Sequence, residues 1–590
     1  MQQFFPSLWR PLRLLTTSLF IFIAPVNTWA QNADHAVTDQ FENIQRQEAQ
    51  QERFEHLKTI EHFSVPPLFK KESASPPTEI NNQNCLPIKT IIIKGAKLLS
   101  DSVLQQTIAP WSGRCLDIAA INQALKAVTL LYVNHGYIAA RAYLAEQNLS
   151  GGRLTITIVE GHLEDITING TQGAKSEIIA AFPRLINKPI NLRDIEQGLD
   201  QINRLDSRQA TISFSAGRTL GSSILDLQLN KTKPWFVTLS SDNLGGKVTG
   251  VYQPRLNITF DNLLGSNDQW SLSYQRSMDH VLFYISPSSP NSNTITGSFS
   301  IPYGYWTAGA DGTWSQYRSS IKGQLSLIDT SGKSFSIVPW ISRVIHRDQV
   351  GKTWLTSRLT WKYTDNFIMG SRVDVSSRTL TIATFALNHS RLWAGGKLSF
   401  EGGIHKGLAI LNAYNDSAQT AADTNTPKGQ FSKFTASLSY ARSFASKILH
   451  LRYNSLLSGQ WSPDTLFGSE QISLGGYGSV RGVKEALYYS NSGLFWRNEM
   501  ALLLPTHSAR EPRKFFGKLE PYTALDLGIA TDNSAKNNAG GSLAGMTFGL
   551  RTADGAINAD VSYSHIIAQS KSVEARNPYG VFQIRTSLSF

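Results

Sequence analysis

Over residues 235–590 the chain alternates apolar and polar positions in short segments, and apolar residues at helical spacing are absent. Trp270, Leu272 and Tyr274 interleave with Ser271, Ser273 and Gln275, and Leu355, Leu359, Trp361 and Tyr363 with Thr356, Arg358, Thr360 and Lys362. The last segment sets Phe582, Ile584, Leu588 and Phe590 against Gln583, Arg585, Ser587 and Ser589. Side chains of a strand point to opposite faces in turn, so each segment predicts a strand with one apolar and one polar face. A water-soluble sandwich alternates too, but it buries its apolar faces in a limited core. Here aromatics gather near strand ends while lysine and arginine occupy the alternate face, the pattern of a membrane barrel with a lipid-facing surface and a wet interior. About 15–17 such segments fit, at roughly 22 residues each, enough for a span of about ten residues with turns and loops. Bacterial barrels carry even strand numbers, so the expectation for residues 234–590 is all-β, a 16-stranded transmembrane β-barrel with an aqueous lumen.

Ahead of this region the pattern is mixed. Arg10 and Arg13 precede an apolar stretch at residues 14–24, followed by Pro25 and the small-residue pattern Thr28-Trp29-Ala30. The stretch is about half of the roughly 20 residues a spanning helix needs, so residues 1–30 read as a secretory signal peptide cleaved after Ala30. Residues 31–62 hold a glutamine- and glutamate-rich segment with Phe41, Ile44, Phe54, Leu57 and Ile60 at near-helical spacing, a helix with a thin apolar stripe. Pro66, Pro67, Pro76 and Pro77 mark residues 63–84 as a semi-rigid linker. A helix tethered in this way is either a surface coiled-coil segment or a mobile element that docks in a polar cavity, and the pattern leaves both open.

Residues 85–161 and 162–233 then repeat one layout. The first has a strand at 89–93, helices at 101–108 and 118–135 and a strand at 153–159. The second has a strand at 164–168, helices at 174–182 and 192–203 and strands at 210–214 and 223–229. Each opens on a strand followed by Lys94-Gly95 or Asn169-Gly170, and both read as small two-layer α+β modules. Repeated modules on a tether suit the binding of another chain, and an exposed sheet edge can accept an extended peptide as an added strand.

Composition narrows the function classes. Hydrophobic residues make up 41% and charged residues 17% of the 590, under the averages of about 45–50% (glycine included) and about 25% for soluble domains. Small polar residues fill the gap, which excludes a disordered charged tail and a long coiled coil. No run beyond residue 30 reaches about 18 apolar residues, so no later segment is a candidate membrane helix. The net charge of +12 suits anionic surroundings such as lipopolysaccharide or an acidic client, and is equally ordinary solubility charge over this length. Nothing interleaves basic and aromatic residues as a nucleic-acid groove requires. Cys85 and Cys115 stand apart from any CxxC pair or histidine cluster. In the oxidising compartment that export implies, a disulfide is expected, with two buried thiols as the alternative. Gly332-Lys333-Ser334 is no phosphate-binding loop, because Leu327 occupies the position of its leading glycine, and HExxH and GxSxG do not occur. No enzyme, catalytic residue, metal site or cofactor is expected.

Two segments remain. Ser473-Leu474-Gly475-Gly476-Tyr477-Gly478-Ser479-Val480-Arg481-Gly482 lies in a long connection near residues 464–492, a single arginine among turn-forming glycines. Tyr522-Thr523-Ala524-Leu525-Asp526-Leu527-Gly528 alternates as a strand, with Ala524 and Gly528 on the face of Asp526 leaving space before its carboxylate. Together, Val480-Arg481-Gly482 and Asp526-Leu527-Gly528 closely resemble the VRG(Y/F) loop tip and the xDxG strand motif of the two-partner secretion transporters, the ShlB/FhaC family within the BamA superfamily. Val483 departs from the family aromatic, which removes a stacking role there and leaves the arginine's in place.

The resemblance covers the whole mature chain and implies a plug helix, two polypeptide-transport-associated (POTRA) domains with a cysteine pair in the first, and a 16-stranded barrel. It implies that Arg481, on a loop folded into the lumen, pairs with Asp526 on the wall, for which the planar guanidinium fork suits a carboxylate better than lysine does. The terminal Phe590 resembles the aromatic end that such barrels present to the barrel-assembly machinery. The implied function is secretion of a cognate exoprotein (a hemolysin, adhesin, contact-dependent toxin or heme-acquisition protein) across the outer membrane of a Gram-negative bacterium, by a monomer with periplasmic POTRA domains. An insertase for outer-membrane proteins and a passive porin are the alternatives.

Overall fold

The structure, a computed structural model, describes residues 85–173, 175–279, 290–322, 326–445, 450–504, 516–531, 540–570 and 580–590. The expected signal (1–30), helix (31–62) and linker (63–84) lie outside them. In the first module Arg153–Val159 is the central strand, parallel to Thr90–Lys94 and antiparallel to Arg141–Leu144. Its alternating Leu154, Ile156 and Ile158 share a buried core with Ala120, Ile121, Ala124 and Val128 of the helix Ile118–Asn134. Asp117 starts that helix by accepting the Ala120 amide at 2.7 Å. A separate two-stranded ribbon, Leu86–Ile88 with Arg114–Leu116, adjoins the Cys85–Cys115 disulfide. This ribbon and the strand Arg141–Leu144 go beyond the sequence expectation. At three or four residues each, they are too short for alternation to reveal.

The second module repeats the plan. Ser222–Lys231 lies between a parallel His162–Ile168 and an antiparallel Arg208–Ala216, accompanied by the helices Lys175–Ala181 and Leu192–Asn203. The helix Leu192–Asn203 buries Ile195, Leu199 and Ile202 in the module core, while Glu196, Gln197, Asp200 and Gln201, at i, i+4 spacing, line another face.

Sixteen spanning strands, antiparallel throughout, close into a barrel. The first, Trp235–Asp242, and the last, Val581–Ser589, pair from Thr238 with Ser589 to Asp242 with Arg585. A two-residue strand, Ser371–Arg372, pairs only with the tip of Gly351–Ile368 and spans nothing. Leu272, Tyr274, Leu355, Phe582 and Ile584 are exposed on the outer surface, whereas inward hydroxyls pair across strands, as Ser271 with Ser298 and Ser315 with Ser334, both at 2.7 Å. The outward apolar faces are therefore left for lipid to cover. Phe590 closes the seam through its backbone, its N–H donating to Val237 O at 2.9 Å, and its ring stays exposed.

The second module docks on the barrel turns nearest it, and the polar face of Leu192–Asn203 makes much of the contact. Gln197 and Gln201 both donate to Gly304 O, at 3.0 and 2.8 Å. Arg347, at the end of its strand, donates to Asp200 at 2.7 Å and lies 3.4 Å from Glu196, and Lys352 reaches Asp200 at 3.3 Å. Arg204 donates to Ser300 Oγ at 2.6 Å and Asn267 O at 2.7 Å, its burial lowering it to about 10 against the pull of Asp261 and Asp268. Glu177 accepts from Arg208 at 2.8 Å and from Asn262 of the first turn at 2.9 Å.

Candidate functional site: a loop held inside the barrel

Residues 462–491 connect His450–Trp461 to Ser492–Leu502 at the barrel end away from the modules, the sixth connection on that side. This loop 6 turns inward. Its limbs pair as Ile472–Leu474 with Tyr488–Ser490, and Ile472, Leu474, Val480, Val483 and Tyr488 pack with Phe495, Ala530 and Leu543 of the wall. Val483 is thus a buried member of an apolar contact. The aromatic near the tip is Tyr477, whose hydroxyl accepts from Arg585 at 2.7 Å. Its ring lies 4.9 Å from the Arg585 guanidinium and 5.8 Å from that of Arg497.

Arg481 is 2% exposed and Asp526 is fully buried. The guanidinium meets the carboxylate as a fork, Nε to Oδ2 at 2.6 Å and Nη2 to Oδ1 at 2.8 Å, and the Arg481 peptide N–H adds a third bond to Oδ2 at 3.1 Å. The remaining guanidinium nitrogen, Nη1, donates to Glu499 at 3.0 Å. Beyond it the charges alternate along the wall. Glu499 accepts from Arg551 at 2.6 Å, Arg551 reaches Glu520 at 3.0 Å, and Arg452 lies 3.1 Å from Glu520. Arg497, opposite Asp526 in register, is 4.0 Å from its carboxylate.

Small residues let the loop approach. A Cβ on Gly528 would lie 2.8 Å from Val480, and one on Gly545, opposite Asp526 in the next strand, would lie 1.7 Å from the Arg481 carbonyl oxygen. Gly482 leaves the tip at φ +125°, where a side chain would also strike His565 and Ile566. The space that Gly528 leaves on the face of Asp526 is therefore filled by loop 6. Sequence pattern alone does not single out Glu499, Arg497, Arg551, Tyr477 or Gly545. Its one signal is that Arg497 and Glu499, two apart, share a strand face; their partners depend on register. A cavity of about 310 Å³ remains between the tip, at Tyr477 and Lys484, and the closing strands, with Arg551, Asp560 and Arg585 in its wall. Among the described residues no group of three or more His, Cys, Asp or Glu could hold a metal ion. What the arrangement does chemically is fix a loop in a wet pore through a multivalent ion pair.

A wet barrel with an inward loop, standing on two α+β modules, defines a transport barrel of the outer membrane. Residues 221–552 match the family model of the haemolysin secretion/activation protein ShlB/FhaC/HecB, and residues 86–161 and 162–216 match POTRA domain models, the first of the ShlB type. The outer membrane transporter CdiB of Dickeya dadantii (strain 3937) is 33% identical over 472 residues, 80% of each chain. The hemolysin transporter protein ShlB of Serratia marcescens is 28% identical over 528 residues, 89% of each. The solved structure of CdiB from Escherichia coli superposes with a TM-score of 0.83 at 29% identity, covering 94% of this chain and 99% of that one. The chain belongs to the ShlB/FhaC/HecB family. It is an outer-membrane transporter of two-partner secretion, with its POTRA domains in the periplasm.

Proposed function

We propose that the protein exports one large exoprotein, of the haemolysin or contact-dependent toxin class, through the barrel lumen, and that Arg481 and Asp526 hold loop 6 where passage depends on it. The observation that carries this reading is the forked pair itself: a loop arginine, 2% exposed, commits its donors to wall carboxylates inside the barrel. The POTRA sheets receive the unfolded client by strand addition, and the client folds outside, which biases its movement outward. The helix expected in residues 31–62 vacates the lumen first. The exposed Phe590 ring is the feature the barrel-assembly machinery reads, the outer surface contacts lipid and lipopolysaccharide, and one chain suffices for transport. Co-expression with the exoprotein of the neighbouring gene tests the reading. Appearance of that protein in the medium only when the transporter is present supports it. A general defect in barrel assembly on deletion points instead to an insertase, and ion conduction without export to a porin.

A further inference from the structure

Loop 6 carries a second buried charge that the tip pair does not use. Glu470 is 5% exposed and ends the short helical turn Gly468–Glu470 in the first limb of the loop. Its two carboxylate oxygens go to different lysines: Oε1 to Lys362, and Oε2 to Lys433 at 2.7 Å. Its backbone carbonyl accepts from Gln460 at 2.9 Å, and the same Gln460 amide donates to Asn491 O at 3.1 Å, so the beginning and the end of the loop are tied together there.

The placement of the lysines separates this cluster from ordinary reinforcement of the wall. Lys362 lies on Gly351–Ile368, the seventh spanning strand, and Lys433 on Ser432–Ala445, the tenth. The two strands are not neighbours, so the carboxylate joins no adjacent pair; it ties the loop to two separate stretches of wall. Asp526, which holds the tip, is on the thirteenth strand. Loop 6 is therefore attached at two places, through wall residues that lie six strands apart from Lys362 to Asp526. Both attachments are ionic. A buried pair holds firmly while water is excluded, yet each partner regains hydration if the loop moves into a wet lumen, so such an attachment can be released and remade.

We propose that Glu470, held by Lys362 and Lys433, is a second positioning site for transport, which sets where the first limb of loop 6 lies in the lumen independently of Arg481 at the tip. The inference rests on the reading that loop 6 controls passage, and the experiment separates the two. Purified full-length protein is reconstituted in planar lipid bilayers in potassium chloride, and secretion of the neighbouring exoprotein is measured in cells. Glu470→Gln and Lys433→Met are each expected to raise mean conductance several-fold and to lower secretion, with the barrel still folded by its heat-modifiable gel mobility. Reversing all three charges, Glu470→Lys with Lys362→Glu and Lys433→Glu, is expected to restore both readouts, which a role in packing alone would not do. If either single variant fails to fold, Lys362→Met, at a partly exposed lysine, carries the same expectation. Native conductance in the folded variants, or no recovery on charge reversal, overturns the second anchor. Raised conductance with native secretion keeps the anchor as a loop attachment and overturns its part in transport, together with the reading it rests on.

Discussion

Asp526→Asn changes one charge and almost no volume, which makes it a sharp probe of the tip. The carboxylate accepts three bonds from Arg481 and lies 4.0 Å from Arg497. An asparagine keeps one acceptor oxygen, so the two-pronged match is lost, and two guanidinium groups face each other without the charge they share. Removing one partner of a buried ion pair costs about 3–5 kcal/mol. Glu499 still holds Arg481 at 3.0 Å, so the lower end, about 3 kcal/mol, is the appropriate figure. At about 1.4 kcal/mol per factor of ten, the ratio of docked to undocked loop falls roughly 100-fold. The ladder on either side of Asp526 is made of backbone bonds to the neighbouring strands and stays intact, so the barrel should assemble and insert normally. The expected result is loss of most exoprotein from the medium per unit of folded barrel, with new cleavage at Arg481 or Lys484 when trypsin is added to whole cells. Native secretion from Asp526→Asn, with the loop as resistant to trypsin as before, refutes the reasoning.

Gly545→Ala should reproduce that phenotype without touching a charge, because its Cβ would lie 1.7 Å from the Arg481 carbonyl, whereas Gly297→Ala, whose Cβ meets nothing closer than Ser271 O at 4.0 Å, should secrete normally. Arg347→Met should loosen the second module from the barrel by about 3–5 kcal/mol, read as faster tryptic cleavage near Lys231 and Lys233 with unchanged barrel mobility. Burial alone would raise the Glu177 carboxyl, but Arg208, Lys231 and Asn262 outweigh it and hold it below the usual carboxylate range. Its contribution is therefore fully present above the unfolded value of about 4.3 and lost as pH falls through the lower folded one, so the protection factors of amides at the Glu177 contact should stay flat from about pH 7 to 5 and fall only under about pH 4. Replacing both cysteines by serine, Cys85→Ser with Cys115→Ser, removes a link across a separation of 30 residues, worth about 3–4 kcal/mol, and should expose residues 86–161 to protease while the barrel is unaffected.

The barrel was legible because alternation is a local signal: Trp270, Leu272 and Tyr274 declare their outward face without reference to any partner. The two modules declared themselves through long helices and the seven-residue strand Arg153–Val159. Register was not legible, and the details of the site depend on it. Arg481 and Asp526 are 45 residues apart, and only resemblance to a family proposes that they meet. Which glycine lies beneath the tip, or which arginine faces Asp526, follows from pairings that no local pattern encodes. The helix Leu192–Asn203 misleads in a different way. Its Glu196, Gln197 and Gln201 look like a solvated face, yet all three are buried, because the barrel turns supply their partners.

That docked helix also limits where a client strand could add. In the second module the outer edge of His162–Ile168 is already covered, since Leu163 donates to Lys188 O at 2.9 Å and Asn187 donates to Leu163 O at 2.7 Å. The other edge, Arg208–Ala216, begins at the junction, where Arg208 is committed to Glu177. Toward its far end it carries Phe214, which is exposed. In the first module the edge Arg141–Leu144 presents Tyr143 and Leu144 to solvent. The modules are joined by backbone contact, Leu192 donating to Gly136 O at 2.7 Å, and by Ile138 and Ala139 packing on the second core. The second module is held to the barrel by buried charge. Strand addition, which needs unpaired backbone and room for alternate side chains, finds both only on the first module and at the end of the second that lies away from the junction, so the proposed mode of capture predicts that a client is gripped there and not beside the barrel turns.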